Sequence, residues 1–366
     1  MPNTSALHKA KQAKKDEFYT QYPVIQAEIE AYLEYDPDTF RGKTVLLPCD
    51  DPEWSNFTRY FAENYSRLGL KKLISTSYAP DTKRNKYGIL FAYAAMQNGE
   101  IPKNERGKIF VLDHDMTGDG RINFDDIVWG YLNGDGDFRS AEVTRLRDEA
   151  DIIITNPPFS LFREFWKWIV EANKKFLIIG SLSSVTYKEV FPLIKNNRVW
   201  LGESIHSGDR EFGVPKEYPL EAAGWRIDAK GNRFIRVKGV RWFTNLEHGR
   251  RHQPMTLMTM ADNIKYSRHK EVKGIGYARY VNYDAIHVPF SDAIPSDYKG
   301  IMGVPISFLD RYCPEQFDII GISLELADMS IIKRKLGKLN GGPRLYTEKE
   351  GKLNREFERI LIRRKL

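Results

Sequence analysis

Asp151-Ile152-Ile153-Ile154-Thr155-Asn156-Pro157-Pro158-Phe159 is the stretch from which the fold can be read. The run IIIT has the length and β-branched content of a buried strand. It stops at two prolines, which have no N–H to give a sheet ladder. Asn156 is held extended by the proline that follows it. The next residues, SLFREFWKWIVEA, space their apolar side chains as a helix does. Strand, rigid turn and helix form one unit of an α/β sheet, and such sheets bind ligands beyond the carboxyl ends of their strands. The turn therefore sets an amide side chain, backbone carbonyls and an aromatic ring where a ligand would lie.

The same alternation extends in both directions. KTVLLPCDD reads as a strand entering a loop, FTRYFAENYSRLGL as a helix, KKLISTSY and KIFVLD as strands, and SAEVTRLRDEA as a helix capped by Ser140. After the central turn come the strand KKFLIIGS, the helix TYKEVFPLIKNN and the strand RVWLGE. The pattern predicts an α/β domain over residues 1–203 with a mostly parallel, doubly wound sheet. From residue 204 the helical period is lost. WRIDAKGNRFIRV reads as a hairpin around Lys230-Gly231-Asn232, and residues 204–332 are expected to form a β-rich lobe. The apolar runs IMGVPISFLDRY and FDIIGIS leave open a return to the core sheet near 300–323. Residues 333–366 are expected as a basic C-terminal segment.

Composition narrows the class. A chain of 366 residues with 42% hydrophobic and 29% charged residues is long enough for a sizeable core. No apolar run reaches the ~20 residues that cross a bilayer, and the N-terminus has no apolar segment of signal-peptide type. A cytoplasmic protein without membrane contact is expected. Cys49 and Cys313 are too few for a cysteine-rich zinc site, and the seven histidines show no ligand spacing, so no metal is assigned. The net charge of +7 is uneven: residues 333–366 hold 12 Lys/Arg and 4 Asp/Glu, a balance of +8, leaving the rest near neutral. A second basic stretch, Arg226 to Arg251, is interleaved with Phe234, Trp242 and Phe243 and preceded by Trp225. Basic and aromatic residues together suit a nucleic-acid surface, and a solvated face around a small core is the plainer alternative.

The chemistry lies in the turn. An exocyclic amine such as that of adenine is a poor nucleophile, because its lone pair is delocalised into the ring. The Asn156 side-chain oxygen and the Pro157 carbonyl can accept its two hydrogens, which draws the nitrogen toward tetrahedral geometry and exposes the lone pair to an electrophilic methyl group. Pro157 and Pro158 fix where the acceptors point. Phe159 can stack on the base. A base inside a duplex cannot reach such a pocket and must be flipped out. Similar turns serve methylation of RNA or of protein amides, so the tetrapeptide reads the reaction better than the substrate.

An ordered series of motifs resolves that choice. LHKAK, DEFYTQY, CDDPEWSNF, LGLKKLI, GDGDFRS, TNPPFSLF, KKFLII, TYKEVF, VWLG, RIDAKGNR, TNL, NYDAI, MGVPISFL and PEQF together resemble the EcoRI-type adenine-specific DNA methyltransferases over nearly the whole chain. The resemblance implies a Rossmann-like methyltransferase domain, a target-recognition lobe, and transfer of methyl from S-adenosyl-L-methionine to adenine N6 in double-stranded DNA. A monomer is expected, and the sequence leaves open whether a cognate restriction endonuclease accompanies it. Phe18, Tyr19 and Thr20 resemble the motif at the methionine end of the cofactor. Cys49, Asp50, Asp51 and Pro52 occupy the first cofactor loop, in place of the usual glycine-rich turn. Asp137 and Phe138 correspond to the pair that serves the cofactor's adenine. An N-methyltransferase of RNA or protein, or a DNA-binding protein with an inactive fold, are the alternatives.

Two further features stand apart. Asp115 to Asp126 has the oxygen spacing of an EF-hand-like loop, with aspartate where glutamate is usual at the last position; an acidic loop near the cofactor cleft is the other reading. Arg226, Arg233, Arg236, Arg241, Arg250 and Arg251 are candidates for contacts to DNA, since arginine pairs bidentately with guanine or phosphate.

Overall fold

The computed structural model describes residues 18–51, 55–78, 106–206, 208–216, 218, 220, 224–337 and 342–365. They fall into two compact units, Met1–Ser181 with Ser207–Leu246, and Leu182–His206 with Glu247–Leu366. This division runs differently from the boundaries expected at residues 203 and 332. The reason is backbone pairing that leaves no mark on hydropathy: residues 209–214 and 240–244 hydrogen-bond to strands laid down near the start and middle of the chain.

The first unit is built on strands β2 (Thr44–Leu47), β3 (Lys72–Ser77), β4 (Lys108–Leu112), β5 (Val128–Tyr131), β6 (Ile152–Thr155), β7 (Lys175–Ser181) and β12 (Val240–Thr244), in the order β5-β4-β3-β2-β6-β7-β12. The middle four are parallel; Leu46 lies between Ile74 and Ile153. β2 and β6 are buried at every position, as parallel strands covered on both faces are. Each buried isoleucine of β6 contributes about 1.5–3 kcal/mol. The register starts at Asp151, whose carboxylate accepts from the Thr44 N–H at 2.8 Å while its own N–H donates to the Thr44 carbonyl at 2.9 Å.

The sheet is mixed rather than mostly parallel. β4 runs antiparallel to β3, β5 to β4, and β12 to β7. KIFVLD reads correctly as a strand, but an apolar strand reads the same in either direction, so its polarity was not legible. Helices α1 (Tyr22–Tyr35), α2 (Asn56–Glu63), α3 (Ala141–Glu149) and α4 (Phe162–Glu171) complete the unit. Ser140 caps α3, accepting from the Val143 N–H at 3.2 Å. α4 buries Phe162, Phe165, Trp166, Trp168 and Ile169. Phe162 fits because position 180 in β7 is glycine: a Cβ there would come within 2.5 Å of its ring.

A second sheet of this unit has the order β1-β9-β11-β10, from β1 (Tyr19–Thr20), β9 (Asp209–Val214), β10 (Arg226–Ile227) and β11 (Arg233–Lys238). β10 and β11 form the expected hairpin, with Arg226 opposite Phe234. Its turn is held by Asp228, whose Oδ1 accepts from the N–H groups of Lys230 and Asn232 at 2.9 and 2.8 Å, while Gly231 takes φ +80°.

The second unit holds the short strand β8 (Trp200–Leu201) and a four-stranded sheet of β13 (Ile286–His287), β14 (Met302–Pro305), β15 (Phe317–Ile322) and β18 (Arg359–Arg364), ordered β13-β14-β18-β15. The apolar runs near 300–323 therefore build a sheet of their own and do not return to the core sheet. Nor is the basic C-terminal segment a tail. β16 (Tyr346–Lys349) and β17 (Lys352–Arg355) form a hairpin, and β18 is an inner strand with Ile360, Leu361 and Ile362 buried. Arg359 and Arg363 bracket the buried run Ile360–Ile362 of β18, and charges of this segment are paired, Arg344 with Glu358 at 2.9 Å and Lys335 with Glu348 at 2.8 Å.

Among the described residues no helix is long and apolar enough to cross a membrane.

Candidate active site

The carboxyl ends of β2, β3 and β6 converge on one buried carboxylate. Asp50 is 6% exposed. Its Oδ1 accepts from Ser55 Oγ at 2.7 Å and its Oδ2 from Thr155 Oγ1 at 2.6 Å. Its N–H donates to the Thr76 carbonyl at 2.9 Å, and its carbonyl accepts from the hydroxyls of Thr58, at 3.2 Å, and Ser75. One residue thus ties three strand ends together and fixes the residue immediately before Asn156. Hydroxyls on Ser55, Thr58, Ser75 and Thr155 make this possible; sequence reasoning passed them over as ordinary strand and cap residues. Ser55 caps α2, accepting from the N–H groups of Phe57 and Thr58 at 3.1 and 3.4 Å. Asp51 is 7% exposed and faces the Lys108 ammonium at 3.8 Å. Cys49 is half-buried and in no disulfide among the described residues. Pro52 lies outside the described residues.

The turn itself meets the N-terminal segment. Asn156 Nδ2 donates to the Phe18 carbonyl at 2.6 Å, and Asn156 Oδ1 is buried with no hydrogen-bond partner among the described residues. Pro157 is buried, and Pro158 and Phe159 are half-buried. The Phe159 ring packs on Phe18 at 5.4 Å between centroids, and Phe18 in turn touches Phe212 at 6.1 Å and Tyr218 at 5.8 Å. Phe212 and Tyr218 carried no motif signal and were missed. Tyr19 and Thr20 pair with Gly213 and Phe212 of β9; Thr20 Oγ1 is buried and also has no partner among the described residues. The structure therefore brings Phe18–Thr20, Asp50 and Asn156–Phe159 into one place from three distant parts of the chain.

The Asp137-Phe138 segment reaches the neighbouring strand end. Gly136, at φ +81°, sits so close to Ser77 at the end of β3 that a Cβ would meet the Ser77 carbonyl oxygen at 2.2 Å. Asp137 is paired with Arg139, Oδ1 to Nε at 2.9 Å and Oδ2 to the guanidinium at 2.6 Å, which raises the Arg139 pKa above its ordinary value. Phe138 is 4% exposed and packs on Phe165 and Trp168 at 5.1 and 5.6 Å.

The EF-hand-like loop turns its carboxylates on itself. Asp126 accepts from the N–H groups of Met116, Thr117 and Asn123 at 2.9, 2.8 and 2.9 Å. The Thr117 and Asn123 amides hold its carboxyl below the usual range. Asp115 accepts from Gly118 and Gly120 at 2.6 and 2.8 Å. Among the described residues no group of His, Cys, Asp and Glu is arranged to hold a metal ion.

The candidate arginines divide. Arg226 and Arg236 are exposed and Arg233 half-buried, all on the β10–β11 hairpin. Arg226 forks onto Glu211 at 2.8 and 2.5 Å and lies over the Phe234 ring at 4.1 Å. Arg233 donates to the carbonyls of Lys216 and Tyr218. Arg241 is 4% exposed, in β12. In the second unit Arg250 donates to the Asp310 carbonyl at 3.2 Å, and Arg251, 5% exposed, lies on the Trp200 ring at 3.6 Å and pairs with Glu247.

A rigid Asn-Pro-Pro-Phe turn at the end of a parallel strand, with a buried amide oxygen that no donor among the described residues meets, defines a methyltransferase directed at amino groups. Comparison with known proteins makes this specific. The family described as adenine-specific methyltransferase EcoRI matches residues 6–365, and the chain belongs to that family. It is 44% identical to the type II methyltransferase M.EcoRI of Escherichia coli over 314 residues, covering 86% of this chain and 88% of that protein. It is 34% identical to M.MpnI of Mycoplasma pneumoniae over 86% of this chain and 84% of that protein. It is 30% identical to M.MgeORF184P of Mycoplasma genitalium over 98% of each. No solved structure gives a significant match. The protein is an adenine-specific DNA methyltransferase.

Proposed function

We propose that the protein methylates adenine N6 in double-stranded DNA at a specific sequence, drawing the methyl group from S-adenosyl-L-methionine and receiving the adenine flipped out of the duplex. The observation that carries this is Asn156 Oδ1, a buried acceptor with no partner among the described residues, beside an Nδ2 that has one. A buried acceptor left open costs roughly 1–3 kcal/mol, and an incoming amine N–H removes that cost. Asn156 Oδ1 and the Pro157 carbonyl accept the two amine hydrogens, and the Phe159 ring, already against Phe18, takes one face of the base. No strong general base is needed, because the nitrogen sheds its proton after attack.

The residues fit the methyl donor. Phe18, Tyr19 and Thr20, with Thr20 Oγ1 buried and without a partner among the described residues, would lie along its methionine end. The Cys49–Asp51 loop would hold its polar groups through Asp51 and the loop backbone, since Asp50 already serves Ser55 and Thr155. The Asp137 and Phe138 segment, pressed against Ser77, would border its adenine. When bound, the donor supplies an electrophilic methyl on a sulfonium. In this reading the β10–β11 hairpin lies on DNA through Arg226, Arg233 and Arg236, while Arg241, Arg250 and Arg251 serve the interior. The Rossmann-like character of the sheet and the role of residues 204–332 as a recognition lobe belong to the same proposal.

Long-read methylation sequencing of DNA from cells producing the protein, beside an Asn156→Ala control, tests it. One sequence motif carrying N6-methyladenine with the intact protein and losing it with the variant is expected. Soluble protein that leaves no methylated motif would sink the reading. In purified enzyme the Asn156→Ala rate should fall about 10²–10³-fold, as for loss of one preorganised hydrogen-bonding group.

A further inference from the structure

An asparagine amide can face either way, and here a backbone carbonyl decides. Asn156 Nδ2 donates to the Phe18 carbonyl at 2.6 Å, across 138 positions of sequence. A carbonyl can only accept. Turning the amide over would press two acceptors together, so Oδ1 is left on the side where no protein donor among the described residues meets it. We propose that the Phe18 carbonyl is a positioning group for methyl transfer, a lock that holds Asn156 Oδ1 toward the target amine. The proposal rests on Asn156 being the acceptor for that amine, as argued above.

The lock is itself held. Tyr19 and Thr20 are paired with β9, the Thr20 carbonyl accepts from Asn56 Nδ2 at 2.8 Å, and the Phe18 side chain is 7% exposed among Phe159, Phe212 and Tyr218. The strand that fixes Phe18 from one side is paired on its other side with β11, from Arg233↔Val214 to Lys238↔Asp209. The basic hairpin and the amide lock thus share one sheet.

The lock distinguishes asparagine from aspartate, which has the same shape and keeps an acceptor. An ionised aspartate would set an oxygen against the Phe18 carbonyl. A protonated one donates to Phe18 through its hydroxyl and accepts the amine through its other oxygen. An Asn156→Asp enzyme is therefore correctly positioned only in its protonated form. The other ionisable groups on the elements meeting here are Tyr19 on β1, Cys49, Asp50 and Asp51 after β2, Lys108 at the start of β4, Asp209, Arg210 and Glu211 on β9, and Tyr218 beyond it. All are present in wild type and variant alike, so the ratio of the two rates removes their titration.

The test measures initial methylation rates from about pH 5.5 to 8.5 on a duplex carrying the motif found by sequencing, for wild type, Asn156→Asp and Asn156→Ala. The ratio of Asn156→Asp to wild type should fall as pH rises, approaching about tenfold per unit, as one required proton demands. The Asn156→Ala ratio should be low and flat. An Asn156→Asp ratio independent of pH, whether high or low, overturns the lock. A wild type inactive at every pH removes the reading of Asn156 itself. Exchange of the Asn156 side-chain amide in the wild-type protein, followed by NMR, needs no folded variant: protection from solvent supports the lock, and free exchange overturns it.

Discussion

Each compact unit buries a polar cluster, and the two are built on opposite plans. Around Asp50 the side chains are short: Ser55, Thr58, Ser75 and Thr155 spend their hydroxyls on one carboxylate and one carbonyl. Around Arg251 they are long: the guanidinium covers Trp200, pairs with Glu247 and reaches Asn197, while His248 beside it gives its Nε2 hydrogen to the Leu201 carbonyl at 3.0 Å. Short groups fix backbone where strands end, and here they fix the residue before Asn156. Long groups span the distance between elements, and here they line a small recess between Leu201 and Leu309. A residue's type does not tell which plan it joins, since Arg236 and Arg251 read alike in the sequence and differ completely in burial.

Acid should separate the units most strongly. Burial pushes His248 down to about 4 from 6.5. Its folded-state pKa is depressed, so the stability it confers is full above pH 6.5 and is lost as pH falls from there toward 4. That is on the order of 3 kcal/mol. His287, buried beside Glu356 and Arg359, is pushed the same way. Hydrogen exchange followed against pH should show Glu247–Leu366 losing protection before the β2–β6–β7 strands do, and His248→Gln should flatten that dependence. Simultaneous loss in both units would break the contrast.

Asp50→Asn comes next. It keeps the shape but leaves one buried hydroxyl facing an amide N–H₂ instead of an acceptor, at a cost of about 1–3 kcal/mol. Methylation should fall with it, because Thr155 directly precedes Asn156. Denaturant unfolding and rate measurements on the same sample check this; unchanged activity in a destabilised variant would reduce the cluster to a purely structural device. The smallest effect sharpens the arginine contrast. Arg236→Ala should weaken DNA binding across sequences and reduce the salt dependence of binding by about one phosphate contact. Arg251→Met should leave the salt dependence alone and lower the melting temperature. The reverse pattern would reassign both.

Much of the first unit was legible. β2, β3, β6 and β7 lie where apolar runs end in turn residues, and the Ser140 cap follows from its own helix start. Strand direction was not legible at β4, and the four-residue Val128–Tyr131 strand, with Gly130 inside it, was too short a run to read as one. Residues 207–246 were separated from the first unit because hydropathy changes there, while backbone pairing, which hydropathy does not record, ties them back. The basic C-terminal segment misled because charge was counted without position: the arginines of β18 bracket three consecutive core residues, Ile360, Leu361 and Ile362.

By itself the sequence determined the reaction. Two prolines after a buried strand can only make a rigid turn, and an asparagine placed before them can only offer hydrogen-bonding groups at a strand's end; both follow from local covalent geometry. Only the tertiary structure decided which way that asparagine faces. Its amide has two orientations of equal local energy, and the choice is made by the carbonyl of Phe18, brought from the other end of the domain by strand pairing.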